Sequence, residues 1–396
     1  MDNKSFILLT KDAMCRDYLH IYGTKKGQFP TPNIDDLAEK GTVFYRYYTA
    51  AASTVMSFYS LAMRVYSYET DIQMYERVHK RIEGDTVFTD AKKYGYNNFH
   101  IIWSKGWETL PGYYDYFRND VNIHTIENLR ASTGIYKKEE GEIHYDEALA
   151  LDTLKNVEDE VVKILSSNDS CFIWIHLPHV LNGCNGYGSD IELFDKYVGM
   201  IRKYVPDSSI AISADHGNMN GINGKLAYGF DLHDNTIRIP LITPRIGSIK
   251  KCNSLVSSLD LFTILYTGTF QEREIVFSET AYRAQKHRKL AIINNRFKYI
   301  YNKKTNTEEL YDLEYDPNET ISLMNDKYYD EDRKIYVDMS EEYYYPDWNL
   351  VRKVRQQMRA QKDEIWKNGD FSIIMKSNLK DLIRPFYERW IRYINR

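Results

Sequence analysis

The chain is punctuated by short apolar runs that each stop at a polar or charged residue. They are "SFILLTKD" at 5–12, "NNFHIIW" at 97–103, "CFIWIHLPH" at 171–179 and "SSIAISADHGN" at 208–218. Near-continuous apolar runs of this length suit strands buried on both faces. Between them lie stretches with apolar residues at helical spacing. "TPNIDDLAEK" at 31–40 carries Leu37 on its inner face and stops at Gly41. "HYDEALALDTLKNVEDEVVKILS" at 144–166 and "SDIELFDKYVGMIRKYV" at 189–205 follow the same rule. Alternating strands and helices predict an α/β fold, a mainly parallel sheet sandwiched by helices. In such a fold the chemistry gathers beyond the carboxyl ends of the strands. Asp12, His176, Asp215 and His216 fall at such ends.

After "TIRIPLITP" at 236–244 the pattern changes. "SLVSSLDLFTILY" at 254–266 reads as an amphipathic helix, and "KLAIINNRFKYIYNKKTNTEELYDL" at 289–313 as two or three antiparallel strands turning at Lys303–Thr307. Residues 305–342 are acidic. Residues 351–396 are basic, with 12 Lys/Arg against 5 Asp/Glu, and Val351, Val354, Met358 and Ile365 keep helical spacing. The expected division is an α/β catalytic domain over 1–270, an antiparallel subdomain over 271–325, and an acidic connector with a basic helical tail over 326–396. Trp366, Phe386, Tyr387 and Trp390 would let that tail touch an anionic membrane surface, or simply pack on the domain.

A formal charge of −4 over 396 residues gives no nucleic-acid footprint. Four scattered cysteines, Cys15, Cys171, Cys184 and Cys252, form neither a disulfide framework nor a zinc knuckle. The N-terminal apolar run Phe6–Leu9 is too short for a signal-peptide core. A cytoplasmic location is the expectation.

Four pieces carry candidate chemistry. In "YTAAASTVMSFYSLAMR" at 48–64, Ser53 and Thr54 stand at the mouth of an apolar helix. They cap it, or one of them is a nucleophile aimed by its N-terminus. Asp12 after "ILLT" is a turn residue or a metal ligand. In "SADHGN" an adjacent carboxylate and imidazole, Asp215 and His216, end an apolar strand and suit Mn²⁺ or Zn²⁺, or else form a capped turn. His176 and His179 flank Pro178 at a third strand end, placed to contact an anion or to serve a structural role.

The ordered set "KDAMCRDYLHIYG", "TPNIDDLAEKGTVFYRYYTAAAST", "FIWIHLPH", "SADHGN", "GFDLHDNTIRIPLI" and "ELYDLEYDPNET" resembles the sulfatase-like branch of the alkaline phosphatase superfamily over residues 5–325. The resemblance implies an alkaline-phosphatase-like fold, a catalytic divalent metal (Mn²⁺, Zn²⁺, Ca²⁺ or Mg²⁺), and a nucleophile at the start of the helix after "YTAAA". Sulfatases place a Cys or Ser, matured to formylglycine, in C/S-x-P-x-R. Here that slot holds Thr54, with Met56 and Phe58 at the Pro and Arg positions. Threonine is no precursor of formylglycine. It is similar to the nucleophile of phosphoethanolamine and phosphoglycerol transferases. Ser53 and Ser57 are the fallback nucleophiles.

By the same resemblance Asp12, Thr54, Asp215 and His216 are metal ligands, and His176 and His179 serve the substrate side. Lys225 or His233 supplies a cationic substrate contact where relatives carry His at the Tyr228 position, and Arg64 stands where relatives often carry Gly. Lys11 and Ala13 flank a single aspartate, which favours one metal. The expected activity is metal-dependent transfer or hydrolysis of a phosphate ester or phosphodiester through Thr54, on a phosphorylated or sulfated small molecule, glycan or lipid headgroup. The alternatives are a sulfuric ester hydrolase and a non-catalytic binding protein on the same fold.

Overall fold

The computed structural model describes residues 5–23, 29–69, 85–102, 120–126, 136–139, 142–145, 147–177, 187–219, 228–281, 288–324, 327–330, 335–338 and 347–368. His179, Lys225, much of the acidic connector and the end of the basic tail lie outside these residues.

The apolar runs form strands as their composition dictates. In chain order these are β1 (Phe6–Lys11), β2 (Thr42–Phe44), β3 (Tyr47–Tyr48), β4 (Asn97–Ile102), β5 (Asn122–Thr125), β6 (Tyr136–Glu139), β7 (Glu142–Tyr145), β8 (Cys171–Leu177), β9 (Ile210–Ala214), β10 (Leu241–Thr243), β11 (Lys251–Cys252) and β12 (Val256–Ser257). Eight of them make the central sheet, ordered β11-β2-β10-β9-β1-β8-β4-β5. The run β9-β1-β8-β4-β5 is parallel throughout. Strand β10 runs antiparallel to both β9 and β2. It is three residues long between Pro240 and Pro244, and so short a segment carries no readable direction.

Helices Pro32–Lys40, Glu147–Ser167 and Tyr187–Ile201 supply the layers the spacing predicts. The central strands are buried on both faces, with Ile7, Leu8, Leu9, Phe172, Ile173, Trp174 and Ile175 fully shielded. Each large apolar side chain so buried contributes about 1.5–3 kcal/mol relative to exposure.

Register then delivers the site. Lys11 at the end of β1 stands between Leu177 of β8 and Ala214 of β9. The next residues on β1 and β9, Asp12 and Asp215, therefore leave the sheet at one edge.

The second unit is a four-stranded antiparallel sheet, β13 (Ile275–Ala281), β14 (Arg288–Asn294), β15 (Phe297–Asn302) and β16 (Thr307–Asp312), in that order. The turn falls at Lys303–Asn306, as expected. The first strand was not legible, because "IVFSETA" buries Ser278, Glu279 and Thr280 and breaks the apolar pattern. The connector holds a small hairpin, β17 (Lys327–Asp330) with β18 (Ile335–Asp338). Helix Trp348–Asn368 lays Val351, Val354, Met358 and Ile365 against Leu290, Ile292 and Tyr299 of the antiparallel sheet. Among the described residues no helix is long and apolar enough to cross a membrane.

Candidate active site

Helix Thr54–Met63 starts with Ser53 at its N-cap, yet the Ser53 hydroxyl makes no capping bond and is buried without a partner. Thr54, the first helical residue, is also buried, and its Oγ1 faces away from the helix. It lies 3.1 Å from His216 Nε2 and 3.5 Å from Asp12 Oδ1. Neither hydroxyl caps the helix, and Thr54 turns toward the residues at the sheet edge.

Asp12, Asp215 and His216 offer one ligand atom each within 4.8 Å of one another, all buried. His216 Nε2 is 3.7 Å from Asp12 Oδ1 and 3.4 Å from Asp215 Oδ2. The local backbone explains this convergence. Ala13 takes a left-handed conformation, φ 54°, unfavourable for a residue with a Cβ and concentrated at functional sites. That turn aims the Ala13 N–H at Asp215 Oδ1, 3.0 Å away, and the His216 N–H reaches the same oxygen at 2.8 Å. Asp215 Oδ2 is left without a hydrogen bond and points into the cluster. Thr49 and Ser57 hydroxyls donate to the Asp215 carbonyl at 2.7 and 2.8 Å. Ser57 is thereby a brace for the Asp215 loop.

These residues fit a divalent cation on structural grounds. Burial, with Asp12 adding to it against the pull of His216, pushes the Asp215 carboxyl up to about 6. Two buried carboxylates with one orphaned oxygen need a positive charge. His216 Nδ1 lies 2.9 Å from the Gly217 carbonyl. That bond fixes the proton on Nδ1 and leaves the Nε2 lone pair facing the cluster, the tautomer a metal takes. Carboxylate and imidazole donors together suit a divalent cation.

His176 stands beside this cluster, buried, with Nδ1 3.0 Å from Thr10 Oγ1 and Nε2 without a partner. Thr10 Oγ1 accepts from Trp174 Nε1 at 2.8 Å, and of the two acceptors in reach of its own proton, the Ile175 carbonyl at 3.4 Å and His176 Nδ1 at 3.0 Å, the ring nitrogen is the nearer. This leaves the His176 proton on Nε2. Burial lowers the His176 pKa well below its ordinary value, against the opposing charge of Asp12. Phe58, in the family's arginine slot, packs edge-on to His176 at 4.4 Å and against Trp174 at 4.6 Å. Met56 packs with Ala51, Tyr59 and Ala281, while Arg64 closes the helix at φ 56° and pairs with Asp90. Tyr228 lays its ring 4.4 Å from that of His216.

His233 is buried and occupied elsewhere. Its Nδ1 meets Asp231 Oδ1 at 2.5 Å, its Nε2 is 3.7 Å from Glu309 Oε2, and the Tyr311 ring lies 5.5 Å away, tilted against it. Several contributors were missed from sequence. They include the buried Lys11–Asp190 pair at 2.6 Å beside Asp12, and Thr10 behind His176. Lys11 carried a signal, since a lysine inside an apolar strand needs a partner.

The sulfatase family model matches residues 4–267. No curated protein matches the sequence. Among solved structures, a 2-O GAG sulfatase superposes with TM-score 0.67 at 14% identity, covering 93% of this chain and 93% of the other. The phosphonate monoester hydrolase of Agrobacterium radiobacter gives 0.66 at 14% identity, covering 91% and 96%. A structure solved with its substrate D-glucosamine-2-N,6-O-disulfate gives 0.63 at 14% identity, covering 93% and 99%. With a family model spanning most of the chain and sulfatase and phosphonate monoester hydrolase folds superposing on nearly all of it, the chain belongs to the sulfatase family of hydrolases, within the alkaline phosphatase-like superfamily.

Proposed function

We propose that the protein is a metal-dependent phosphoester hydrolase or phosphotransferase whose nucleophile is Thr54. The observation that carries this reading is the Thr54 hydroxyl, 3.1 Å from His216 Nε2 and 3.5 Å from Asp12 Oδ1, in the slot where sulfatases carry their formylglycine precursor. A threonine has no route to that aldehyde, so the hydroxyl itself attacks. Asp12, Asp215, His216 and Thr54 would hold the ion. When bound, such an ion offsets charge on the transferring oxygens and lowers the pKa of a coordinated hydroxyl.

The chain's own groups supply the rest. Asp12 Oδ1 orients the Thr54 hydroxyl and accepts its proton. Thr54 Oγ1 bonds to phosphorus as the bond from phosphorus to the departing alcohol oxygen breaks. His176, kept neutral by burial, donates an Nε2–H hydrogen bond to that departing oxygen, which leaves as an alkoxide and takes a proton from solvent in exchange for the one Asp12 gained from Thr54. Water or an acceptor alcohol then attacks the phosphothreonine and restores Thr54. Phe58, Trp174 and His100 line this side with ring faces and exclude water. Phosphorylated alcohols, glycans and lipid headgroups have this chemistry in common.

A second reading, a sulfuric ester hydrolase, is favoured by the family match and by the sulfatases among the structural neighbours. A third, a binding protein on this fold, is suggested by Met56, Phe58, Arg64 and Tyr228 at positions where the family pattern differs. The test is hydrolysis of bis(p-nitrophenyl) phosphate and p-nitrophenyl sulfate by the native chain and Thr54→Ala. Thr54-dependent phosphodiester cleavage supports the proposal. Faster sulfate cleavage selects the second reading, and metal-free, inert protein the third.

A further inference from the structure

The metal loop is held from behind by a turn that contributes no ligand. The Gly217 N–H, next to His216, donates to the Thr236 carbonyl at 2.8 Å. The contact is so close that a Cβ on Gly217 would sit 2.0 Å from the Asn235 carbonyl oxygen. Cys15, from the Asp12 loop, joins the same assembly. Its Sγ–H reaches the Asn218 carbonyl at 2.8 Å, and the Asn218 N–H returns to Sγ at 3.2 Å. Whatever fixes the turn at 233–237 therefore fixes His216.

That turn is anchored by the antiparallel sheet. Lys298 of β15, fully buried, reaches back to Asp234 Oδ1 at 2.5 Å and to Glu319 Oε1 at 2.5 Å. Glu319 Oε2 accepts the Asp234 N–H at 2.6 Å, and Arg238 pairs with Asp234 at 3.2 Å. Two carboxylates and two cations make the group neutral. It adds little field at the metal cluster and acts through position. Glu319 is itself left-handed, φ 56°, a strain that persists only where surroundings impose it. Burying the Lys298 and Glu319 charges, with Asp234 and Arg238 only partly exposed beside them, is costly, and an apolar cluster would often stabilise as well. What the ions add is a single geometry for the turn.

We propose that Lys298, Asp234 and Glu319 are positioning residues for the metal centre, so that the antiparallel sheet is part of the catalytic apparatus. This rests on the metal site proposed above. Losing a group hydrogen-bonded directly to a metal ligand costs about 10- to 100-fold in metal affinity, and these residues act one contact further out, through the Gly217–Thr236 hydrogen bond.

The test uses the full chain and Mn²⁺ as the probe, with affinity measured by titration calorimetry at 25 °C and the Co²⁺ absorption spectrum as a signature of ligand geometry. The variants are Lys298→Met and the milder Glu319→Gln, with Asp215→Ala as the ligand control. The expected result is native-like circular dichroism with Mn²⁺ affinity at least tenfold weaker and an altered Co²⁺ spectrum. If Lys298→Met does not fold, Glu319→Gln decides alone. Native affinity and spectrum in folded Glu319→Gln overturn the proposal while leaving the metal site intact. No Mn²⁺ binding by the native chain, or none lost in Asp215→Ala, overturns the metal site and the proposal with it.

Discussion

The Thr54 hydroxyl stands 3.1 Å from His216 Nε2, and the other imidazole nitrogen is tied to the Gly217 carbonyl at 2.9 Å. A helix start and a strand end, distant in sequence, thus share one buried pocket. Thr54→Ala should reduce phosphodiester turnover by about a thousandfold or more, as loss of a nucleophile does. Thr54→Ser should retain measurable activity, since it keeps the hydroxyl. Steady-state rates for both variants check this.

Asp215→Asn should act with opposite signs in the two states of the protein. In metal-free protein it removes a buried carboxylate that desolvation and Asp12 disfavour, so the Tm should stay level or rise. With Mn²⁺ added, the native chain should gain stability by mass action, and the variant should gain less. Thermal scans with and without Mn²⁺ read both effects.

His100 gives a pH dependence. Burial lowers its pKa to about 3, whereas an unfolded histidine titrates near ~6.5. The unfolded chain binds the extra proton between these values, so stability is fully present above about pH 6.5 and falls as pH drops toward 3. His100→Phe keeps a ring over Trp174, which lies 4.6 Å away in the native stack. Urea denaturation at pH 7 and pH 4.5 should show a smaller acid loss in the variant than in the native chain.

Met358 packs the Trp348–Asn368 helix onto the antiparallel sheet and is 2% exposed. Met358→Ala should cost about 3 kcal/mol through lost burial and the cavity left behind. The urea midpoint of the full chain checks the value.

The parallel half of the fold was legible because its strands are uninterrupted apolar runs, as in "FILLTK" and "CFIWIHL". The helix carrying Val351, Val354, Met358 and Ile365 was legible for the same reason in a different period. Strands β2 and β10 were not, since three residues hold no pattern. The candidate ligands followed from the resemblance carried by the ordered motifs, and strand register then brought Asp12 and Asp215 to one sheet edge. What stayed hidden were partners set by long-range packing. His233 meets Glu309 and Tyr311 of the antiparallel sheet, and Lys298 meets Asp234 and Glu319. Nothing local in either sequence neighbourhood announces those pairs. Ser57, a fallback nucleophile, turned out to brace the Asp215 carbonyl.

The most direct measurement is intact-mass and peptide analysis of the Mn²⁺-loaded chain quenched during turnover of bis(p-nitrophenyl) phosphate. The account predicts a p-nitrophenyl phosphoryl adduct on Thr54, formed as p-nitrophenolate leaves, and absent in Thr54→Ala. Turnover with the adduct on another residue, or undiminished turnover in Thr54→Ala, would contradict it.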